Sequence, residues 1–232
     1  MNSSNATLAK LSCLTFLVSL VAGCGGGGGD SGGAAPPSPA PAACVASPPP
    51  PAPAPGANPP QVRFTMSNGA GVSGDVVLTL NPAQAPVTTA NFLSYVNAGF
   101  YNCTVFHRHA RDFVLQGGGF AAPVTSTTAF SALKATNPPI ALEVGRGLSN
   151  VRLTVAMART DPNTATSQFF INLVDNVQLD TQAGGYAVFG SVTAGADVVT
   201  AMRAAPCISA IVSGDSCLPV PNITITAAVQ IR

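Results

Sequence analysis

Charge is scarce in this chain. Only 8% of its 232 residues are Asp, Glu, Lys or Arg, and the formal net charge is +1. So few charges leave no basic footprint for nucleic acid or for an anionic membrane surface. No CxxC pair and no Cys/His metal spacing occurs. Within residues 61–232 no GxSxG turn offers a serine nucleophile. The run "QGGGF" at 116–120 is not GxGxxG, and no helix with a P-loop lysine and hydroxyl follows it. His107 and His109 stand two apart on a strand-like run and would share a face. A zinc site needs a third ligand, and the nearby acids Asp112 and Glu143 stand at no recognisable spacing. The expectation is therefore a chain with no metal and no cofactor.

A long apolar run is also missing. The stretch "LSCLTFLVSLVAG" at 11–23 is short for a membrane span and has the length of a signal-peptide core. Lys10 precedes it, and no acidic residue occurs before Asp30. It ends in "LVAGC", which resembles the lipobox of bacterial lipoproteins. That resemblance implies cleavage after residue 23, lipidation of Cys24 and attachment to a membrane through the lipid. An ordinary secretory signal is the alternative. Gly25 after Cys24, instead of Asp, points by analogy to an outer membrane facing the periplasm. Residues 24–60 are Gly-rich and then Pro-rich, without the apolar periodicity of a folded unit. They are expected to form a disordered linker. Its 25 residues from Pro36 to Pro60 would reach about 75 Å if fully extended as polyproline.

What is present lies in residues 61–232, enough for one domain with a sizeable core. Val62–Met66 and Val76–Leu80 alternate around Asn-Gly and Ser-Gly pairs, which predicts a hairpin. "APVTTANFLSYVNAGFY" switches to helical period, with Val87, Phe92, Leu93 and Val96 on one face, Pro86 at the start and Gly99 after the end. Strand-like runs follow at Thr104–Arg108, Phe113–Gln116, Leu153–Met157, Phe169–Leu173, Ala187–Val192 and Ile223–Ile231, with a second helix over 195–205. Many short strands and two helices suggest a mainly β fold, a closed antiparallel barrel capped at its ends, though strand periodicity alone does not separate a barrel from a sandwich. Cys207 and Cys217 flank a short loop that a disulfide would close, contributing about 2–3 kcal/mol. Cys44 and Cys103 receive no role.

One stretch concentrates the charge: "FHRHARDFVLQGGGF" at 106–120. Taken alone, Arg108 reads as an arginine laying its stem on apolar surface. Taken with "MARTDPNTATSQFFI" and "YAVFG" further on, the pattern resembles the cyclophilins, the barrel family of peptidyl-prolyl cis–trans isomerases. "APVTTANFLSYVNAGFY" and "NPPI" extend the likeness, so that it covers everything from about Val62 to the C-terminus. The family fold is an eight-stranded barrel with a helix at each end, which agrees with the reading from periodicity.

The resemblance implies site residues. Arg108 takes the place of the catalytic arginine and His107 that of a groove histidine. Phe113 is the pocket phenylalanine, Val114 its neighbour on the pocket wall, and Gln116 the supporting glutamine. Gln168 and Phe170 face the groove, while Phe169, one residue away on a strand, must point into the barrel. Leu179 is a further wall and Tyr186 closes the site. Met157, Ala158 and Thr160 lie along floor and rim, and Arg159 stands where many relatives carry asparagine. Gln178 stands where the family usually has an aromatic residue that contacts cyclosporin, which implies weak inhibition by that compound. Val114 stands where methionine is common, and "RHARD" replaces a loop ending in Pro-Gly. His109 and Arg111 are expected in a solvated loop, and the glycines at 117–119 are expected to turn the backbone beside the site.

The implied activity is isomerisation of X–Pro bonds in exported proteins, with proline-containing segments as partners, by a monomer. The alternative is a peptide-binding or chaperone lipoprotein with the same barrel and little catalysis.

Overall fold

Eight strands close into a barrel because the last pairs with both the first and the third. The computed structural model describes residues 44, 46–54, 56, 58–125, 132–208 and 216–232; the apolar run at 11–23 and Cys24 lie outside these. The hairpin forms as its turn residues demand. β1 (Gln61–Ser67) and β2 (Ser73–Leu80) pair antiparallel through the whole of β1. Asn68 Oδ1 accepts from the backbone N–H groups of Ala70 and Val72, at 2.8 and 2.9 Å, which fixes the turn between them.

The remaining strands are β3 (Thr104–Ala110), β4 (Val114–Ala121), β5 (Thr154–Met157), β6 (Phe169–Asn172), β7 (Val188–Ala194), β8 (Cys207–Ile208), β9 (Ser216–Pro219) and β10 (Thr224–Gln230). Their order is β10-β1-β2-β7-β5-β6-β4-β3, and β10 pairs again with β3 to complete the ring. Closure leaves no free edge among the eight. β9 and β8 hang from β3 as a small extension outside the ring. This hairpin was expected only as a disulfide-closed loop; two- and four-residue strands are too short to show a period.

Aromatic side chains fill the barrel. Phe64, Phe92, Tyr101, Phe106, Phe169 and Phe189 are all fully buried. Phe92 comes from the helix α1 (Pro86–Asn97) and sits 4.9 Å from Phe189 and 5.5 Å from Phe169, ring centre to ring centre. Such contacts add to area burial, and truncating one of these rings would cost about 3–5 kcal/mol. The second helix, α2 (Ala196–Ala204), buries Val198, Val199 and Met202 into the same core. It starts at Gly195, whose φ is +81°; a Cβ there would lie 2.1 Å from the Asp75 carbonyl oxygen, so only glycine fits.

Two sequence expectations need correction here. Val87 was placed on the inner face of α1, yet it is 45% exposed, and the buried face is Thr88, Thr89, Phe92, Tyr95 and Val96. Phe92 anchors that face, and Val87, five residues earlier, lies about 140° round the helix from it. Met157 was placed on the groove floor, yet it is buried in the barrel core.

Both disulfides lie within the described residues. Cys207 and Cys217 are bonded, as expected, and the link ties β8 to β9. The other joins Cys44 to Cys103, 59 residues apart. Asn102 Nδ2 also donates to the Ser47 carbonyl at 2.9 Å, and a Cβ on Gly99 would meet Pro49. A stretch expected to be a free linker is therefore stapled to the end of the barrel where α1 finishes. In the chain-entropy model a loop of this length contributes about 4 kcal/mol.

Candidate functional site

The site grows from strand alternation. Phe169 and Phe170 are neighbours on β6, and their side chains leave the sheet on opposite faces. Phe169 enters the aromatic core. Phe170 joins a second apolar cluster with Ala110, Val114, Ala156, Leu179 and Val188, against which Phe113, Ala158, Tyr186 and Leu148 pack. This outer cluster is a wall of apolar side chains, with the Tyr186 ring 5.8 Å from the Phe170 ring at a steep angle.

A polar row borders the wall. Arg108 stands opposite Gln116 in the β3–β4 register, just after a register shift between Phe106 and Arg108. Arg108 Nη1 donates to Gln116 Oε1 at 3.4 Å, and Gln116 Nε2 donates to Gln168 Oε1 at 2.9 Å. The three residues form one chain running from the cation into the sheet. Burial pulls the Arg108 pKa down from its usual value, against an opposing effect of Tyr186. A guanidinium starts so high that it stays charged. Gly119 makes the row possible: a Cβ at that position would lie 2.8 Å from Gln168 Cγ and Cδ. Gly117–Gly119 are thus strand residues within β4 that admit neighbouring side chains. They do not form the turn expected of them.

The sequence-predicted residues separate into those brought together and those not. Arg108, Gln116 and Gln168 are linked, and Phe113, Val114, Ala158, Phe170, Leu179 and Tyr186 share the apolar wall. Arg159 reaches the wall from the side. Its Nε donates to the Gly185 carbonyl at 3.0 Å and its Nη2 to that of Ala183 at 2.7 Å. Its guanidinium lies over the Tyr186 ring, 4.6 Å from the ring centre. Thr160 does not join: it is exposed, and its hydroxyl shares a hydrogen bond with Thr164. The His107 ring lies 4.5 Å from that of Phe120. Burial first and the charge of Arg108 second push the His107 pKa down to about 4, so it is neutral near pH 7. His109 is a correction: it is fully buried on β3, not part of a solvated loop. Gln178, by contrast, is exposed.

A supporting layer went unread in the sequence. Asn176 Nδ2 donates to the Phe113 carbonyl and to Asn172 Oδ1, both at 2.9 Å. Asn172 Nδ2 donates to Asn150 Oδ1 at 3.1 Å, and Asn150 Nδ2 donates to Asp180 Oδ1 at 2.8 Å and the Tyr186 carbonyl at 3.2 Å. Asp180 also accepts from Ser149 Oγ and from the Asn150 N–H. These residues tie together two backbone points, the Phe113 and Tyr186 carbonyls, from which pocket side chains project. Five buried or half-buried polar residues in a chain so poor in charge were the available signal, but their partners lie 4–63 positions away.

A separate cleft of about 800 Å³ lies between residues 53, 54, 56 and 58–60 and residues of β2, β5 and β7. It shares Leu148 and Val188 with the apolar wall and includes none of Arg108, Gln116 or Phe170.

Comparison with known proteins places this geometry. Residues 62–230 match the family model described as cyclophilin type peptidyl-prolyl cis-trans isomerase/CLD. The chain is 46% identical over 162 residues to the peptidyl-prolyl cis-trans isomerase cyp18 of Streptomyces antibioticus, covering 67% of this chain and 92% of the relative. It is 46% identical over 136 residues to peptidyl-prolyl cis-trans isomerase B of Escherichia coli, covering 56% and 79%. Among solved structures, a Cryptosporidium parvum cyclophilin type peptidyl-prolyl cis-trans isomerase superposes with a TM-score of 0.58 at 24% identity, covering 75% of this chain and 98% of that one; that likeness speaks for the fold alone.

Proposed function

Because the chain belongs to the cyclophilin-type peptidyl-prolyl cis–trans isomerases, we propose that Arg108 is its catalytic residue and that the protein isomerises X–Pro bonds in exported proteins while lipid-anchored through Cys24. The observation that carries the mechanism is the Arg108–Gln116–Gln168 row beside the apolar wall of Phe113, Phe170 and Leu179.

Amide resonance sets a rotation barrier of about 18–20 kcal/mol, and X–Pro isomerisation takes tens to hundreds of seconds unaided. In the twisted amide the nitrogen is pyramidal and carries a lone pair. Arg108 donates to that nitrogen or to the adjacent carbonyl, and the link to Gln116 aims the guanidinium before substrate arrives. The pyrrolidine ring rests on Phe113, Phe170 and Leu179 while the rest of the peptide rotates. The wall excludes water, so the field of Arg108 is less screened. No proton moves, which suits a His107 held neutral.

The anchor reading rests on the sequence around Cys24. Among the described residues no helix is long and apolar enough to cross a membrane, and a lipid anchor needs none. The Cys44–Cys103 bond changes the tether expected from sequence. It moves the point of attachment from the start of β1 back to Cys103, so only the stretch between Cys24 and Cys44 adds reach, about 65 Å at full extension.

The experiment is an uncoupled isomerisation assay on a short X–Pro peptide, with Arg108→Ala beside wild type. Loss of one aimed donor lowers kcat/KM by about 10²–10³. Equal rates in the two proteins would sink the catalytic assignment and leave a peptide-binding module. Cys24→Ser tests the anchor separately: the variant should leave the membrane fraction, and membrane retention would reject it.

A further inference from the structure

On β3, one residue past Arg108, three side chains far apart in sequence meet. One ring nitrogen of His109 and the sulfurs of Cys207 and Cys217 all lie within 4.8 Å of one another. The backbone register holds them there: His109 is paired with Cys217 across β3–β9, and Cys207 with Pro219 across β8–β9. His109 is fully buried, and among the described residues neither of its ring nitrogens has a hydrogen-bond partner. A buried polar group left unpaired costs about 1–3 kcal/mol, and such orphans call for an explanation.

The two sulfurs are bonded to each other in this structure, and a disulfide is a poor ligand because the thiolate is the form that binds metal. We infer that the disulfide closes a latent Cys2His site for a d10 cation of the zinc class, and that reduction opens it. The step balances with a thiol reductant. Two thiols of the reductant supply two electrons and two protons and leave as their own disulfide. The Cys207–Cys217 bond breaks to two thiols, which lose those protons when the cation binds.

The local chemistry suits that cation. Zinc–sulfur bonds of about 2.3 Å and zinc–nitrogen bonds of about 2.0–2.1 Å put the donor atoms of a tetrahedral centre about 3.5 Å apart. Donors already within 4.8 Å can reach that spacing by side-chain rotation once the sulfurs are free. Two thiolates and a neutral imidazole around a divalent cation sum to zero charge, which limits the desolvation penalty of a buried site. Arg111 Nη2 lies 4.0 Å from Cys207 Sγ and favours the thiolate. Burial first, then Arg111 and Arg203, against Asp112, lower the pKa of His109 and keep it in the metal-binding form. The fourth position is left for water or an external donor. None of this rests on the isomerase reading.

The test uses the full chain, reduced under native conditions, freed of reductant and titrated anaerobically with cobalt(II), then with zinc(II). The expected result is one cobalt per chain with thiolate-to-cobalt charge-transfer bands, absent in the oxidised protein and bleached by zinc. The Cys207→Ser/Cys217→Ser double variant, which keeps Cys44 and Cys103, should lose the bands. His109→Gln should weaken binding by at least the about 10–100-fold that even supporting residues of metal sites are worth. Since His109 is buried, H109Q can fail to fold; the wild-type cobalt spectrum then decides, because it reports the thiolates directly. No bands after reduction, equal bands in the double variant, full affinity in folded H109Q, or a disulfide that native reduction does not open would each overturn the inference.

Discussion

The guanidinium of Arg159 lies over the ring of Tyr186, 4.6 Å from its centre, while donating to the carbonyls of Gly185 and Ala183. One side chain thus holds both the ring that borders the apolar wall and the backbone that carries it. These contacts lead us to propose that Arg159 positions Tyr186.

Replacing it tests that role. Arg159→Asn keeps a polar residue and the backbone, but loses the stacking and both carbonyl contacts. Stacking of this kind is worth about 0.5–2 kcal/mol, so KM for an X–Pro peptide should rise about 2- to 30-fold with kcat little changed. Arg159→Lys should not rescue, since an ammonium lacks the planar fork. A fall in kcat with KM unchanged, or full rescue by lysine, would reject positioning through Tyr186.

The buried asparagines give a second prediction. In Asn176→Ala the Asn172 Oδ1 loses its donor, while the Phe113 carbonyl keeps the Leu173 N–H. Unsatisfied buried groups cost about 1–3 kcal/mol, which should appear as a lower midpoint in urea unfolding. Phe113 should also become less well placed, raising KM. Unfolding indistinguishable from wild type would mean that water or a neighbour replaces the amide and that the layer does not support the pocket.

How far the sequence carried the structure can be argued from particular residues. Strands, helix ends and the opposite facing of Phe169 and Phe170 were legible, because strand period two and helix period 3.6 are local properties, but only the resemblance separated a barrel from a sandwich. The row Arg108–Gln116–Gln168 was legible only through resemblance, since no local rule pairs positions 52 residues apart. His109 was misplaced for the same reason. What buries it is the hairpin of β8 and β9, roughly a hundred residues downstream, and two such short strands carry no periodic signal. The Cys44–Cys103 link was hidden in a stretch whose proline content says only that it does not build a core alone.

The two histidines give the final prediction, in pH. Both are pushed below their ordinary pKa by burial, His107 to about 4. Activity should therefore be flat from about pH 6 to 9, with Arg108 charged and His107 neutral throughout; a step near pH 6.5, where a free histidine titrates, would contradict it. Stability should respond instead. Well above pH 6.5 neither folded nor unfolded His107 binds a proton, and its contribution is constant. As pH falls from there, the unfolded chain takes up a proton that the folded chain refuses, so stability declines until about pH 4, where the folded form binds it too. His109 adds in the same direction. Asp180 acts lower still: burial would raise its pKa, but Ser149 and Asn150 donate to it and bring it below the ordinary value. Its contribution is present above its unfolded pKa and is lost as pH falls through the folded one. Urea unfolding at intervals between about pH 7 and 4 measures the slope, and His107→Gln should remove close to one proton from it. Parallel pH curves for the variant and wild type would show that His107 takes up its proton equally in both states and is not buried neutral.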